Sequence, residues 1–219
     1  MLLACWSVKG GVGTSVVSAG IATMLARREG SATLFDLAGD LPSILGVPEP
    51  DGPGLRDWLH ADDAVGVEAI GRLEREAGPG LRFVHRGRRV PGSVDRAALA
   101  AAHLAEADGV NVIDVGRLGD GESDAVRRAV VEGATTSLLV TRPCYLALRR
   151  ALACPVRPDG IVLVAEPGRA IGRSDVVDVL GRPVVAEIVV DPAIARAVDA
   201  GLLTSRLPAD LARSLANVA

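Results

Sequence analysis

Lysine and aromatic residues are almost missing from this sequence. Of its 24 basic residues, 23 are Arg and one, Lys9, is Lys. Aromatic residues make up 2% of the 219 residues, which argues against the rows of stacking side chains that bind single-stranded nucleic acid. We therefore expect a core of Ala, Val, Leu and Ile. The net charge of −3 gives no general attraction to DNA or to anionic membranes.

Cysteine is also scarce, and long hydrophobic runs are missing. The three Cys, at positions 5, 144 and 154, form no CxxC pair, so we expect neither a disulfide framework nor a zinc site. A reducing cytoplasm is the simplest compartment. No apolar run approaches the ~20 residues that a membrane span needs, and residues 1–6 lack the basic leader of a signal peptide. The length suits one α/β domain, which we expect to cover residues 1–219.

Apolar runs and helical patterns alternate along the chain. Short continuous apolar runs indicate strands buried on both faces of a parallel sheet. The predicted strands are 2–7, 33–36, 81–84, 110–114, 137–140, 161–165 and 184–189, and the predicted helices are 15–28, 65–76, 94–106, 122–131, 146–153, 175–180, 192–199 and 209–216. Ser93, Ser174 and Asp191 are predicted helix N-caps. The alternation predicts a three-layer α/β/α fold with a mostly parallel sheet of about seven strands.

The lone lysine belongs to a glycine-rich stretch, Lys9-Gly10-Gly11-Val12-Gly13-Thr14-Ser15, between the first predicted strand and the first predicted helix. Glycine lets backbone N–H groups converge on an anion without a Cβ in the way, and a helix N-terminus adds a positive dipole. This pattern predicts a phosphate-binding loop, in which Ser15 stands where a hydroxyl ligates Mg²⁺. A turn that only joins the strand to the helix is the alternative.

Three motifs of the sequence resemble those of the ParA/MinD superfamily of P-loop ATPases. The stretch 9–15 resembles its deviant Walker A loop, Lys-Gly-Gly-x-Gly-Lys-Ser/Thr. Leu34-Phe35-Asp36-Leu37-Ala38 resembles its second-strand motif, Val-Asp-Leu-Asp, and Val112-Ile113-Asp114-Val115-Gly116 resembles its Walker B strand. Four further stretches, 39–47, 53–59, 138–143 and 180–184, are similar to the branch of CpaE/TadZ pilus-assembly proteins and septum-site-determining proteins. The resemblance covers essentially the whole chain.

The resemblance implies a role for each matching residue. The residues that would bind the phosphates of ATP are Lys9, Gly10, Gly11, Val12, Gly13, Thr14 and Ser15. Lys9 would reach across a face-to-face homodimer to the phosphates of the partner. Ser15 and Asp114 would hold Mg²⁺, the latter through water, and Asp36 would lie beside the metal and the phosphates. Lys9 and Asp36 are the candidate catalytic residues.

Three residues depart from the family pattern. Thr14 replaces the lysine that neutralises the β- and γ-phosphates within the same subunit, and a hydroxyl cannot supply that charge. Ala38 replaces an Asp implicated in positioning the attacking water, and Ala165 replaces an Asn that reads the adenine. We therefore predict a degenerate ATPase, with binding of ATP and Mg²⁺ weakened or absent and hydrolysis slow at best.

The function that the resemblance implies is spatial organisation. A protein of this kind marks a pole or the division site for pilus assembly, secretion or septum placement, and acts by dimerising and recruiting protein partners. Two alternatives remain open: a competent Mg-ATP-hydrolysing ATPase that cycles on DNA or membrane, and a P-loop enzyme of the dethiobiotin synthetase or amide-forming type. The enzyme ranks last, because it needs a lysine at the position of Thr14.

Two groups of arginines and one group of leucines have several interpretations. The arginines at 86, 88 and 89 suit a compensating cation for a bound anion, a weak contact with DNA, or a solvated loop. A second group, at 142, 149 and 150, is a further candidate for a weak DNA contact. Leucines at 207, 211 and 215 suit packing against the body better than a membrane helix, because the segment has no aromatic anchor.

Overall fold

The protein folds into alternating strands and helices. A computed structural model describes residues 1–90, 92–119, 121 and 124–218. Its strands are β1 (Leu2–Ser7), β2 (Ala32–Asp36), β3 (Arg75–Gly78), β4 (Leu81–Val84), β5 (Asn111–Arg117), β6 (Thr136–Thr141), β7 (Gly160–Ala165) and β8 (Val184–Val189). Its helices are α1 (Thr14–Glu29), α2 (Leu41–Leu45), α3 (Leu55–Leu59), α4 (Val94–Glu106), α5 (Ala125–Glu132), α6 (Tyr145–Ala153), α7 (Arg173–Leu180), α8 (Pro192–Asp199) and α9 (Ala209–Leu215).

The strands of the described residues form one sheet with the order β3-β4-β2-β5-β1-β6-β7-β8. Neighbouring strands are parallel, except that β3 runs antiparallel to β4 at one edge. β1 therefore lies inside the sheet, between β5 and β6. Because the carboxyl ends of parallel strands meet at the same edge of a sheet, the connections after β1, β2 and β5 lie side by side.

Helices cover both faces of the sheet and give the three-layer α/β/α architecture predicted from the sequence. Side chains of β1 show how the two faces alternate: Leu3 and Cys5 join the core under α1, α2 and α9, whereas Leu2, Ala4 and Trp6 join the core under α3, α4 and α5. α6 and α7 extend the second face over β7 and β8. Both cores are largely aliphatic, as the composition predicts.

The predicted bounds of most strands and helices agree with the observed ones. The bounds of β1, β4, β8, α4 and α8 are those predicted, and most of the others differ by one to three residues at an end. The predicted helix over 122–131 corresponds to α5, and its predicted start at Glu122 lies outside the described residues. α2 and α3 were not predicted, because a helix of five residues is too short to show a helical period.

The predicted helix over 65–76 is wrong. The segment forms a 3₁₀ helix, Val67–Leu73, and then β3, which makes the sheet one strand larger than the apolar runs indicated. The reason lies in the spacing of Val67, Ile70 and Leu73. In a 3₁₀ helix the side chains three residues apart lie above one another, so a period of three places all three on the side of the core.

Two of the three predicted N-caps are confirmed. Ser93 and Asp191 each accept a hydrogen bond from the first turn of its helix. The prediction for Ser174 is wrong, because α7 begins at Arg173, two residues earlier than predicted, and its N-cap is Gly172. There the carboxylate of Asp175 reaches back and accepts a hydrogen bond of 2.7 Å from the N–H of Gly172.

The last helix packs against the body of the protein, as the sequence predicts. Leu211 and Leu215 are buried against α1, and a Cβ on Gly20 would lie only 3.0 Å from Leu215 Cδ1. The glycine therefore lets the two helices approach closely. Within the described residues, no helix combines the length and the apolar character needed to cross a bilayer.

The substitution Leu215→Ala tests this packing. We expect the free energy of unfolding to fall by about 2–5 kcal/mol, because a fully buried leucine is removed and a cavity is left against α1. Urea unfolding followed by far-UV circular dichroism measures the change. Leu99→Ala, at a leucine of α4 that is 48% exposed, is the matched control and should cost much less. Equal losses for the two variants would contradict the buried position of α9.

Candidate functional site

The glycine-rich stretch forms an open loop between β1 and α1. Gly11 and Gly13 have φ angles of +73° and +93°, in the left-handed region that favours glycine. A Cβ added at Gly10, Gly11 or Gly13 would meet no atom within 4 Å, so the loop surface is accessible. α1 begins immediately after Gly13, which places the unpaired N–H groups of its first turn at the loop. Such a loop suits a phosphate or another anion.

The side chains of the loop supply little positive charge. Lys9 is partly exposed and makes no hydrogen bond or ion pair within the part of the chain that the structure describes. Thr14 is only 7% exposed and opens α1, where its carbonyl accepts a hydrogen bond from Ser18 Oγ. The loop therefore brings one cation, at its first residue, and none at position 14.

Two carboxylates lie side by side beneath this edge. Asp36 at the end of β2 and Asp114 in β5 are register partners, and both are fully buried. Asp36 accepts hydrogen bonds from the N–H groups of Gly39, at 2.6 Å, and Leu41, at 3.4 Å. Asp114 Oδ1 accepts one from Gly116 N at 3.1 Å, but Asp114 Oδ2 is buried and has no hydrogen-bond partner among the described residues.

Burial raises the pKa of both carboxyls. Loss of solvent is the largest cause in each case and raises the pKa of Asp36 to about 6 and that of Asp114 to about 7. The Ser15 hydroxyl faces Asp114 without a well-aligned hydrogen bond and lowers its pKa in part, whereas the charge of Asp36 raises it. Two neighbouring acidic groups with too few donors form a place where a cation would be stabilised.

The predicted metal residues Ser15, Asp36 and Asp114 therefore come together, and they fit Mg²⁺. The orphaned Oδ2 of Asp114 and the hydroxyl of Ser15 are hard oxygen donors of the kind that Mg²⁺ prefers. No group of three or more His, Cys, Asp or Glu side chains suited to a metal occurs within the described residues. Mg²⁺ tolerates so few protein ligands when water and substrate phosphates complete its coordination.

Two arginines hold the connection that follows β2. Arg86 Nη1 donates to the carbonyl of Ala38 at 2.8 Å, and Arg56 Nη2 donates to the carbonyl of Leu37 at 2.7 Å. The sequence marked Arg86 as a compensating cation among other interpretations, but gave no signal for Arg56. The pKa of Arg56 is lowered to about 10, mainly by burial and also by the charges of Arg127 and Arg86, whereas the charge of Asp36 raises it.

The second predicted arginine group is divided in the structure. Arg142 pairs with Glu166 at 2.6 Å, and Arg169 contacts the same carboxylate. Hydrogen bonding from Arg169 is the largest cause that lowers the pKa of Glu166. Arg149 and Arg150 lie exposed on α6. Arg142 is therefore occupied within the protein and is a poorer candidate for a DNA contact than its two neighbours.

Solved structures match this chain over nearly its full length, whereas no protein-family model and no curated protein sequence matches it. A ParA family ATPase from Chlorobium tepidum is 21% identical with a TM-score of 0.77, covering 98% of this chain and 95% of that one. MinD of Pyrococcus horikoshii, complexed with Mg-ADP, is 17% identical with a TM-score of 0.76, covering 99% and 93%. A chain of the MinC:MinD cell division complex of Aquifex aeolicus is 19% identical with a TM-score of 0.72, covering 98% and 95%. The chain thus has the P-loop NTPase fold of these proteins.

The buried carboxylates make the stability of the protein depend on pH. The folded pKa of Asp114 lies above its ordinary value of 3.8, so the folded state holds this proton more tightly than the unfolded state. The resulting contribution to stability is complete below about pH 4 and is lost as pH rises through about 7. Without a metal ion, the protein should therefore lose stability over this range.

The substitution Asp114→Asn should remove most of that loss. For each pH we take the free energy of unfolding of the variant minus that of the natural protein, both in EDTA. We expect this difference to be roughly 2–4 kcal/mol higher at pH 8 than at pH 4.5. Thermal unfolding at both pH values measures the difference, and comparing the two cancels any cost of the amide that does not depend on pH. Asp178→Asn, at an exposed aspartate of α7, is the control. The same relative stability of Asp114→Asn at the two pH values would refute the assignment.

Proposed function

We propose that this chain is a degenerate member of the ParA/MinD superfamily that acts as a spatial regulator. In this proposal it belongs to the branch of CpaE/TadZ and septum-site-determining proteins and marks a pole or the division site in the cytoplasm. It acts as a homodimer that recruits protein partners of the pilus, secretion or division machinery. Nucleotide serves as a weak switch. The observation that carries the proposal is an open glycine loop, in a ParA/MinD-like fold, that retains Lys9 but has Thr14 in place of the second lysine. Ala38, in the connection after β2, is a further altered position.

The charges at the loop support weak nucleotide binding. A polyphosphate at this edge approaches the buried Asp36 and Asp114, and the exposed Asp40 lies near enough to raise the pKa of Asp114. Mg²⁺ would offset part of the repulsion. Position 14, where a P-loop lysine normally contacts the β- and γ-phosphates, offers a hydroxyl instead. Loss of a charge-assisted contact weakens both binding and stabilisation of the transition state.

The state of Lys9 supports dimerisation. A lysine that is partly exposed and has no ion pair within its described chain is available to a group on another molecule. The resemblance implies that this group is the bound phosphate of a partner subunit. That proteins of this fold assemble with other proteins is supported by the MinC:MinD complex among the similar structures.

The substitution Thr14→Lys tests the degenerate site. We expect the affinity for Mg-ATP to rise about 10-fold or more, because an ammonium group returns to the phosphates. Isothermal titration calorimetry measures the affinity. Thr14→Met, which adds length without charge, is the matched control and should bind no more tightly than the natural protein. A similar gain for both variants would attribute the effect to packing rather than to charge.

Hydrolysis should need a second change. We expect Thr14→Lys alone to release phosphate slowly, and the double variant with Ala38→Asp to be faster, because only the double variant has a carboxylate to orient water. Phosphate-release assays at saturating Mg-ATP measure the rates. If the natural protein already matches the double variant, the site is competent and the degenerate proposal is wrong.

Dimerisation through Lys9 is tested by Lys9→Gln. With Mg-ATP, we expect the natural protein to form dimers and Lys9→Gln to remain monomeric, because the cation that would meet the partner's phosphates is removed. Size-exclusion chromatography with light scattering measures the mass. Arg28→Gln, at an exposed arginine of α1, is the control and should dimerise. A natural protein that stays monomeric with and without nucleotide at tens of micromolar would overturn the proposal.

A further inference from the structure

Three guanidinium groups converge near the candidate nucleotide loop with few acidic partners. Arg86 and Arg127 lie close enough to Arg56 for their charges to lower its pKa. Within the described residues, Arg127 is paired with Asp124 at 2.9 Å, whereas Arg56 and Arg86 have no carboxylate within ion-pair distance. The buried Asp36 acts on both, since its charge raises the pKa of Arg56 and Arg86 lowers the pKa of Asp36. Because neither arginine forms a close ion pair, part of their positive potential is available to an incoming anion.

Arg56 and Arg86 are held in place. Each donates one hydrogen bond to a backbone carbonyl of the connection after β2, out of the five N–H donors that a guanidinium carries. Arg56 Nε is buried and has no hydrogen-bond partner among the described residues. The two side chains are therefore ordered before any ligand arrives, and they keep unused donors. An ordered guanidinium loses less entropy on binding a phosphate than a free side chain does.

The fold places this pair beside the phosphate loop. Leu37 N donates to Asp114 O at 2.9 Å, and a Cβ on Gly116 would lie only 2.9 Å from the Cβ of Ala38. The connection after β2 therefore crosses the carboxyl end of β5. β5 is the immediate neighbour of β1, which leads into the loop. Arg86 follows β4, and its side chain reaches the carbonyl of Ala38 after β2, the strand that lies between β4 and β5.

Alanine at position 38 leaves the surroundings of Arg86 without a further negative charge. Position 38 carries a methyl group, so the residue whose carbonyl Arg86 contacts adds no negative charge of its own. The edge thus combines two acidic residues suited to Mg²⁺, Asp36 and Asp114, with two basic residues suited to phosphate oxygens. Metal-bound polyphosphate is a ligand that satisfies both sets of charges, since phosphoryl oxygens accept from arginine and bind Mg²⁺ together.

We propose that Arg86, supported by Arg56, forms a phosphate clamp within the same subunit as the loop and contacts the terminal phosphate of a Mg-bound nucleoside triphosphate. The clamp rests on the proposed nucleotide site and supplies the positive charge that Thr14 does not. It orients no water, so a bound triphosphate persists. Because a diphosphate ends one phosphoryl group earlier, the clamp gives the site a preference for triphosphate over diphosphate.

The test compares Arg86→Gln with Arg89→Gln, a neighbour in the same connection that is 63% exposed. Calorimetry in Mg²⁺ measures the affinity for the non-hydrolysable ATP analogue AMP-PNP and for ADP. We expect Arg86→Gln to weaken AMP-PNP binding about 10-fold to 100-fold and ADP binding less than about 3-fold. Arg89→Gln should change neither. Arg86→Lys, which keeps the charge but lacks the planar fork, should fall between the natural protein and Arg86→Gln.

Three results would overturn the clamp. Equal effects of Arg86→Gln and Arg89→Gln would show that Arg86 has no special role. Equal weakening of AMP-PNP and ADP binding would show that Arg86 only supports the shape of the loop. The clamp would also be wrong if neither nucleotide bound the natural protein at millimolar concentration. In that case, dimers that form without nucleotide, detected by light scattering, would still support the proposed regulatory function. If Arg86→Gln does not fold, the ratio of AMP-PNP to ADP affinity in Arg86→Lys decides in the same way.

Discussion

The structure depends on keeping two acidic side chains buried and adjacent at the end of its central strands. Asp36 and Asp114 are register partners, and each would be costly to ionise without help from its surroundings. The backbone supplies part of that help, because the N–H groups of Gly39 and Gly116, which follow shortly after the two carboxylates, donate to them. The connection that follows Asp36 is held by the side chains of Arg56 in α3 and Arg86 in the connection after β4.

Features encoded by neighbouring residues were predictable from the sequence. The central strands are continuous apolar runs, because both of their faces are covered by helices, and their positions follow directly from that pattern. The glycine loop is likewise local, since the positive φ angles of Gly11 and Gly13 are demands on single residues. Asp36 and Asp114 could be placed at one edge because each ends or interrupts such a run.

Features that depend on contacts between distant residues were not predictable. β3 is an edge strand with the sequence Arg-Glu-Ala-Gly, which shows no apolar pattern. It forms because it pairs with β4, a contact that the sequence of β3 alone does not indicate. Arg56 reaches the carbonyl of Leu37 from a five-residue helix that has no pattern of its own. The predicted helix over 65–76 is wrong for a different reason, since Val67, Ile70 and Leu73 repeat with a period of three, which suits a 3₁₀ helix.

The close contact between α1 and α9 packs the last helix against the helix that follows the glycine loop. α1 is a continuous helix of 16 residues whose first turn adjoins the glycine loop. Gly20 lies six residues further on, about 9 Å along the axis, and the terminal leucines rest against it. The C-terminal helix is therefore packed on the same helix whose first turn adjoins the glycine loop. Because close-packed interiors transmit strain, a tilt of α1 that began at the loop would displace α9 with it.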